Sequence, residues 1–191
     1  MRVNSKREEE GNDDSRKLIL ANGELTAIHV QILVRDLPWT NLKTLDLSRN
    51  MIGDRGGEII GVCDSWPNLE ELILDSTGIG DSGAVHIAKS KTWNNIRTQR
   101  LSNNKIGDIG AIAIGNNKIW VNLTALDLEK NEIKKEGAMA IAANKTWTRL
   151  ESLVLKSNGI NSSEALVSLC KNKVWENLKV LDLRETASPS V

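Results

Sequence analysis

Apolar residues return along this chain in bursts with a fixed rhythm. Leu42, Leu45 and Leu47 are followed by Asn50 and Ile52, and the same frame, L-x-x-L-x-L-x-x-N-x-I, restarts at Leu69, Ile96, Leu123 and Leu150. Within it, Leu45 and Leu47 alternate with polar neighbours, the period of a strand with one buried face. Asn50, Asn104, Asn131 and Asn158 fall where the chain leaves the strand. A side-chain amide there satisfies backbone groups that the strand no longer pairs. Thr77 and Thr186 take that position in two units and are expected to serve less well. A helix follows in each unit. Small residues (Gly57, Ala84, Ala111, Ala138) allow close approach to the sheet, and Ile60, Ile87, Ile114 and Ile141 lie three positions later on the core-facing side. Asp54, Asp81 and Asp108, each preceded by Gly, are placed to cap the helix that they begin; Ser162 can do the same, whereas Lys135 cannot.

Trp39, Trp66, Trp93, Trp120, Trp147 and Trp175 are spaced 27, 27, 27, 27 and 28 residues apart, and the chain has no Phe or Tyr. A fixed period of this length marks a repeat array. Strict periodicity with the core predicts that the tryptophans form an inward-facing spine at the helix-to-strand corner. Shifting the frame back one period places Leu18, Leu20 and Leu25 on it, with Val30 and Leu33 in the helix core positions. The expected organisation is a charged, disordered N-terminal tail (1–17), a solenoid (18–186) and a short C-terminal tail (187–191). The solenoid comprises one divergent unit, five complete units and a terminal strand. Parallel strands pack about 4.8 Å apart and helices about twice that. The stack must therefore bend, strands inside and helices outside.

The frame is the leucine-rich-repeat pattern. Its long period, with a helix in the second half of each unit, resembles the ribonuclease-inhibitor-like leucine-rich repeats, a group also met in Ran GTPase-activating proteins, NOD-like receptors and effectors of intracellular bacteria. The resemblance spans residues 18–186. It implies an α/β fold, a curved leucine-rich-repeat solenoid with parallel strands on the concave face and helices on the convex face. It also implies a module that binds protein on its concave side, with specificity in the variable positions.

Composition narrows the chemistry. Charged residues make up 26% of the chain and the formal net charge is +0, with no basic stripe evident along the sequence. That balance argues against sequence-independent nucleic-acid binding. No apolar run is long enough to span a bilayer or act as a secretory signal. The expected partner is a protein, without nucleic acid or membrane, and the expected compartment is the cytoplasm, or a host cell's interior for a delivered effector. Cys63 and Cys170 lie four repeats apart, about 35 Å at helix spacing, and read as free thiols. His29 and His86 lack neighbours at ligand spacing, so neither a metal nor another cofactor is expected. No nucleophile–base pair or phosphate-binding loop is present, so the chain reads as non-enzymatic.

Candidate binding residues come from the concave strand positions. One row is Asp46, Ile73, Arg100, Asp127, Val154 and Asp182; beside it run Asp75, Glu129, Lys156 and Arg184, with Arg49 next to the first row's turn. Ile73 and Val154 are expected to be exposed apolar anchors, and Arg100 to neighbour Asp127. Gln99 stands where the other units have leucine, and burying its amide without partners costs about 1–3 kcal/mol. The leading expectation is an inhibitor, adaptor or bacterial effector docking a protein. The alternatives are a GTPase-activating role or a self-assembling piece of a longer array, paired through an open C-terminal edge.

Overall fold

The computed structural model describes residues 16–36 and 39–186. The expected disorder of the tails concerns positions largely outside these residues. Strands and helices alternate: β1 (Lys17–Ile19), α1 (Ala27–Asp36), β2 (Thr44–Asp46), α2 (Gly53–Val62), β3 (Glu71–Ile73), α3 (Asp81–Ala88), β4 (Thr98–Arg100), α4 (Asp108–Gly115), β5 (Ala125–Asp127), α5 (Lys135–Ala142), β6 (Ser152–Val154), α6 (Ser163–Cys170) and β7 (Val180–Asp182). The strands form one parallel sheet in sequence order. Register is held without slippage, so that Leu18, Leu45, Leu72, Gln99, Leu126, Leu153 and Leu181 lie in one row. Between sheet and helices runs a single continuous core.

The tryptophans point inward as the periodicity predicts. Trp66, Trp93, Trp120 and Trp147 are fully buried, Trp175 nearly so, and Trp39 packs partly buried against the first units.

Buried amides join the units. Asn104 Nδ2 donates to Leu101 O of its own unit (3.0 Å) and to Leu74 O of the preceding one (2.8 Å). Its Oδ1 accepts from the N–H groups of Thr77 (3.1 Å) and Ile79 (3.0 Å). Asn50, Asn131 and Asn158 bridge in the same sense, backwards along the array. Thr77 is a weaker substitute for a geometric reason. Its hydroxyl reaches Leu74 O (2.7 Å) and Asn104 Oδ1 (3.2 Å) but does not extend back into the preceding unit. The residue just before this position is left-handed in every unit: Arg49, Ser76, Asn103, Lys130, Ser157 and Glu185 have φ between 52° and 56°. This conformation disfavours L residues, and the recurrent amide bonds hold it in place.

A second amide ladder runs at the tryptophan corner. Asn117 Nδ2 donates to Ala88 O (2.7 Å) while its Oδ1 accepts from Ile119 and Trp120 N–H. Asn144 and Asn172 repeat this one and two units later.

The helix caps differ from the sequence expectation. Asp54 lies in the first turn of α2, but its Oδ1 accepts from Gly80 N (2.7 Å) and Gly83 N (2.9 Å) at the start of α3. Asp81 likewise caps α4 through Gly107 and Gly110, and Asp108 caps α5 through Lys134 and Gly137. Helix starts stack side by side, so the free N–H groups of each first turn face the carboxylate of the preceding unit. Lys135 ends this series. With no acceptor from the preceding unit, α6 is capped by its own Ser162, whose Oγ accepts from Ala165 N (3.3 Å). Lys135 instead pairs with Glu164 at 2.8 Å.

Glycine sets the helix spacing at two places. A Cβ at Gly61 would meet the His86 carbonyl of α3, and one at Gly115 would sit 2.6 Å from the Ala140 carbonyl carbon of α5. Backbone cannot yield as a side-chain tip can, so Gly61→Ala should destabilise by about 1–3 kcal/mol, read from the urea midpoint. An unchanged midpoint would mean that α2 and α3 separate at little cost.

Gln99 is fully buried, and neither Nε2 nor Oε1 has a partner. Gln99→Leu should therefore raise the thermal midpoint by several degrees, each 1 kcal/mol being worth roughly 2–4 °C at this chain length. A flat or lowered midpoint in calorimetry would show the amide to be satisfied.

Candidate functional site

The concave face is the outer side of the sheet, so its chemistry follows from strand alternation. With Leu45 and its equivalents turned inward, Asp46, Ile73, Arg100, Asp127, Val154 and Asp182 form one outward row, and Ser48, Asp75, Ser102, Glu129, Lys156 and Arg184 the next. The structure brings the sequence-selected residues onto this surface, and their pairing departs from expectation in three respects.

First, Arg100 lies beside Asp127 in the strand register as expected, but its guanidinium pairs with Asp75. Its Nη2 lies 2.6 Å from Asp75 Oδ2, reaching diagonally to the preceding strand. Asp127 points its Oδ1 at the backbone N–H of Glu129 (3.0 Å). Second, Ile73 and Val154 are half-buried by neighbouring strands, not exposed. The strongly exposed apolar residues of the sheet are Ile19 and Val180, on its two edge strands. Third, the acids lie low. Asp46 and Asp182 accept from the N–H two residues on, and Asp75 accepts from Ser102 N. The Asp75 side chain is 13% exposed against 49% for Arg100, so basic heads stand above carboxylates fixed to the backbone.

Two further pairs complete the surface. Lys156 Nζ lies 3.2 Å from Glu129 Oε1. Arg184 holds Asp182 in a two-point bond (2.9 and 2.6 Å), and hydrogen bonding from that guanidinium lowers the Asp182 carboxyl to about 2. Arg49 is exposed at the rim. A polar hollow beside the strand starts is lined by Arg16, Asn41, Lys43, Asn68, Glu70 and Asn95. The Glu70 carboxylate there is already shared by Lys43 (2.8 Å) and Arg97 (3.5 Å).

The fold also assembles a feature hidden in the linear sequence. Lys91, Lys118, Lys145 and Lys173 precede successive tryptophans by two residues, and all are exposed. Stacking turns them into a row along the helix-to-strand edge, with Lys89 and Lys171 beside it. The expectation of no basic stripe therefore does not hold: residues evenly dispersed in sequence become neighbours at the repeat period.

Asp127 provides a pH signature for the concave face. Burial pushes its carboxyl above the ordinary range; the Glu129 N–H offsets part of this, Asp75 adds to it and Arg100 opposes it. An acid raised in the fold destabilises once ionised. That penalty is absent below the unfolded value of about 3.9 and complete above the raised folded value. Asn keeps an oxygen for the Glu129 N–H. Asp127→Asn should thus stabilise the protein at pH 7 and lose that advantage as pH falls below about 4, as followed by urea titration at both pH values. An equal effect at both would remove burial of charge as the cause.

Four segments, residues 40–61, 67–88, 94–115 and 121–142, match the Leucine Rich repeat family model. No curated protein sequence gives a significant match. Among solved structures, an internalin (InlF) from Listeria monocytogenes is similar with a TM-score of 0.52 and 20% identity. The alignment covers 74% of this chain and 34% of the internalin, so the chain spans about a third of that protein's length. At this identity the likeness is one of fold. Repeat frame, buried asparagines and one-sheet topology agree with it: the chain carries leucine-rich repeats and folds as a leucine-rich-repeat solenoid.

Proposed function

We propose that this solenoid is a non-enzymatic protein-interaction module that docks a partner protein on its concave face, as an inhibitor, adaptor or effector does. The observation that supports this most is the in-register outer face of seven strands. It holds Arg100, Asp127, Glu129, Lys156 and Arg184 on a rigid backbone at fixed strand spacing. Rigid display lowers the ordering cost of association, and charged rows favour partner selection over raw affinity. Arg49, Asp46, Asp75 and Asp182 complete the polar set, while half-buried Ile73 and Val154 offer flat apolar ground between them. The ribonuclease-inhibitor-like resemblance is consistent with this use.

Affinity capture from lysate tests the reading, with the native chain compared to a folded variant carrying Arg100→Glu, Asp127→Lys and Lys156→Glu. A protein retained by the former and lost with the latter is the expected outcome. Equal retention would move the binding surface off the sheet.

A further inference from the structure

The basic edge has no part in the concave reading and stands independently of it. Its six lysines, Lys89, Lys91, Lys118, Lys145, Lys171 and Lys173, lie in the four corner segments that follow α3, α4, α5 and α6. Residues 89–97 and 116–124 contain no Asp or Glu, and the later two corners carry one acid each, Glu151 (paired with Lys179) and Glu176. None of the six forms an ion pair with another described residue. Arg97 and Arg149, in the same segments, are engaged with Glu70 and Asn122.

The edge is level. Asn68, Asn95, Asn122 and Asn177 each donate to a backbone carbonyl in the preceding corner, at 2.9–3.4 Å. Asn117, Asn144 and Asn172 tie the same corners to one another from the helix side. Strand pairing adds no stagger. One lysine per corner then repeats at about the helix spacing, 8–10 Å. Between them lie exposed Val121 and partly buried Ile119 and Val174.

We infer that this edge is a docking surface for an anionic lipid bilayer. A row of charges repeating at the helix spacing can meet an extended charged surface at every lysine at once. Lysine acts as a hydrated point charge that needs no bidentate geometry, which suits mobile headgroups. The tryptophans of these units are fully or almost fully buried, which leaves no aromatic platform for the bases of a single strand. The apolar valines and isoleucine at the same level fit the boundary between headgroup and acyl chain. The concave face stays open at right angles to the bilayer, so both surfaces can be occupied together.

Vesicle co-sedimentation of the full chain tests this. Phosphatidylcholine vesicles with and without about a third phosphatidylserine are compared at low and high salt. Binding is expected only to the anionic vesicles and should be lost at high salt. Each lysine near the surface contributes roughly fivefold. Lys118→Gln with Lys145→Gln should weaken binding about 25-fold, while Lys105→Gln with Lys134→Gln, on the opposite edge, leaves it unchanged. Equal binding to neutral vesicles, or equal loss with both variants, overturns the inference. So does salt-dependent binding to duplex RNA or DNA without binding to vesicles, which would assign the edge to a phosphate backbone instead. Circular dichroism confirms that the variants remain folded.

Discussion

The backward-reaching side-chain hydrogen bond is the interaction on which everything else in this molecule depends. Asn104 touches three segments at once: its own strand end, the strand end before it, and the N–H groups opening the preceding turn. Without such a bridge, each left-handed turn would leave buried carbonyls and N–H groups unpaired. With it, the turn geometry of one unit fixes the position of the next. At the other two bends of each coil the Asp caps reach forward to the next helix and the corner asparagines reach back. The unit is therefore not self-sufficient; it is completed by its neighbours on both sides, as expected of a quasi-one-dimensional architecture.

Much of this was visible in residue order. The Leu frame and the tryptophan period are enough to place strands, core and corners, because burial in a repeat depends on position alone. What residue order does not contain is which copy of a periodic group meets which. Asp81 has the right chemistry to cap a helix, and sequence reasoning gave it the helix it begins, but sideways stacking gives it the next. Arg100 had two acids within reach of its strand. Its long side chain took the diagonal one, leaving Asp127 to a backbone N–H that is nearer and already aligned. Ile73 and Val154 project outward as expected, yet side chains from adjacent strands 4.8 Å or so away cover half of each.

The lysine edge was missed for a different reason. Along the chain acids and bases cancel, whereas the fold sorts most of them by phase within the period. Acids occupy strand starts, turn ends and helix starts; lysines occupy the corner before each of the last four tryptophans, while Asp64 holds that phase before Trp66. A neutral sequence thus yields a polarised surface. The corner asparagines Asn117 and Asn144 stand in the same motif, but nothing in the residues around them indicates that their amides are buried.

Because each bridge spans one period, the array is a cassette system. Excising 27 consecutive residues from its middle, or inserting 27, keeps strand register and brings a bridging amide into place wherever Asn rather than Thr77 stands at the turn. Reach along the concave face thus becomes a quantity adjustable in steps of about one strand width, roughly 4.8 Å, without redesign of the interior. The interchange has one boundary. The 28-residue spacing at the last tryptophan, together with Lys135 where an Asp would be, gives the final unit a different joint. Blocks can be exchanged ahead of that joint, whereas the last unit fits only there.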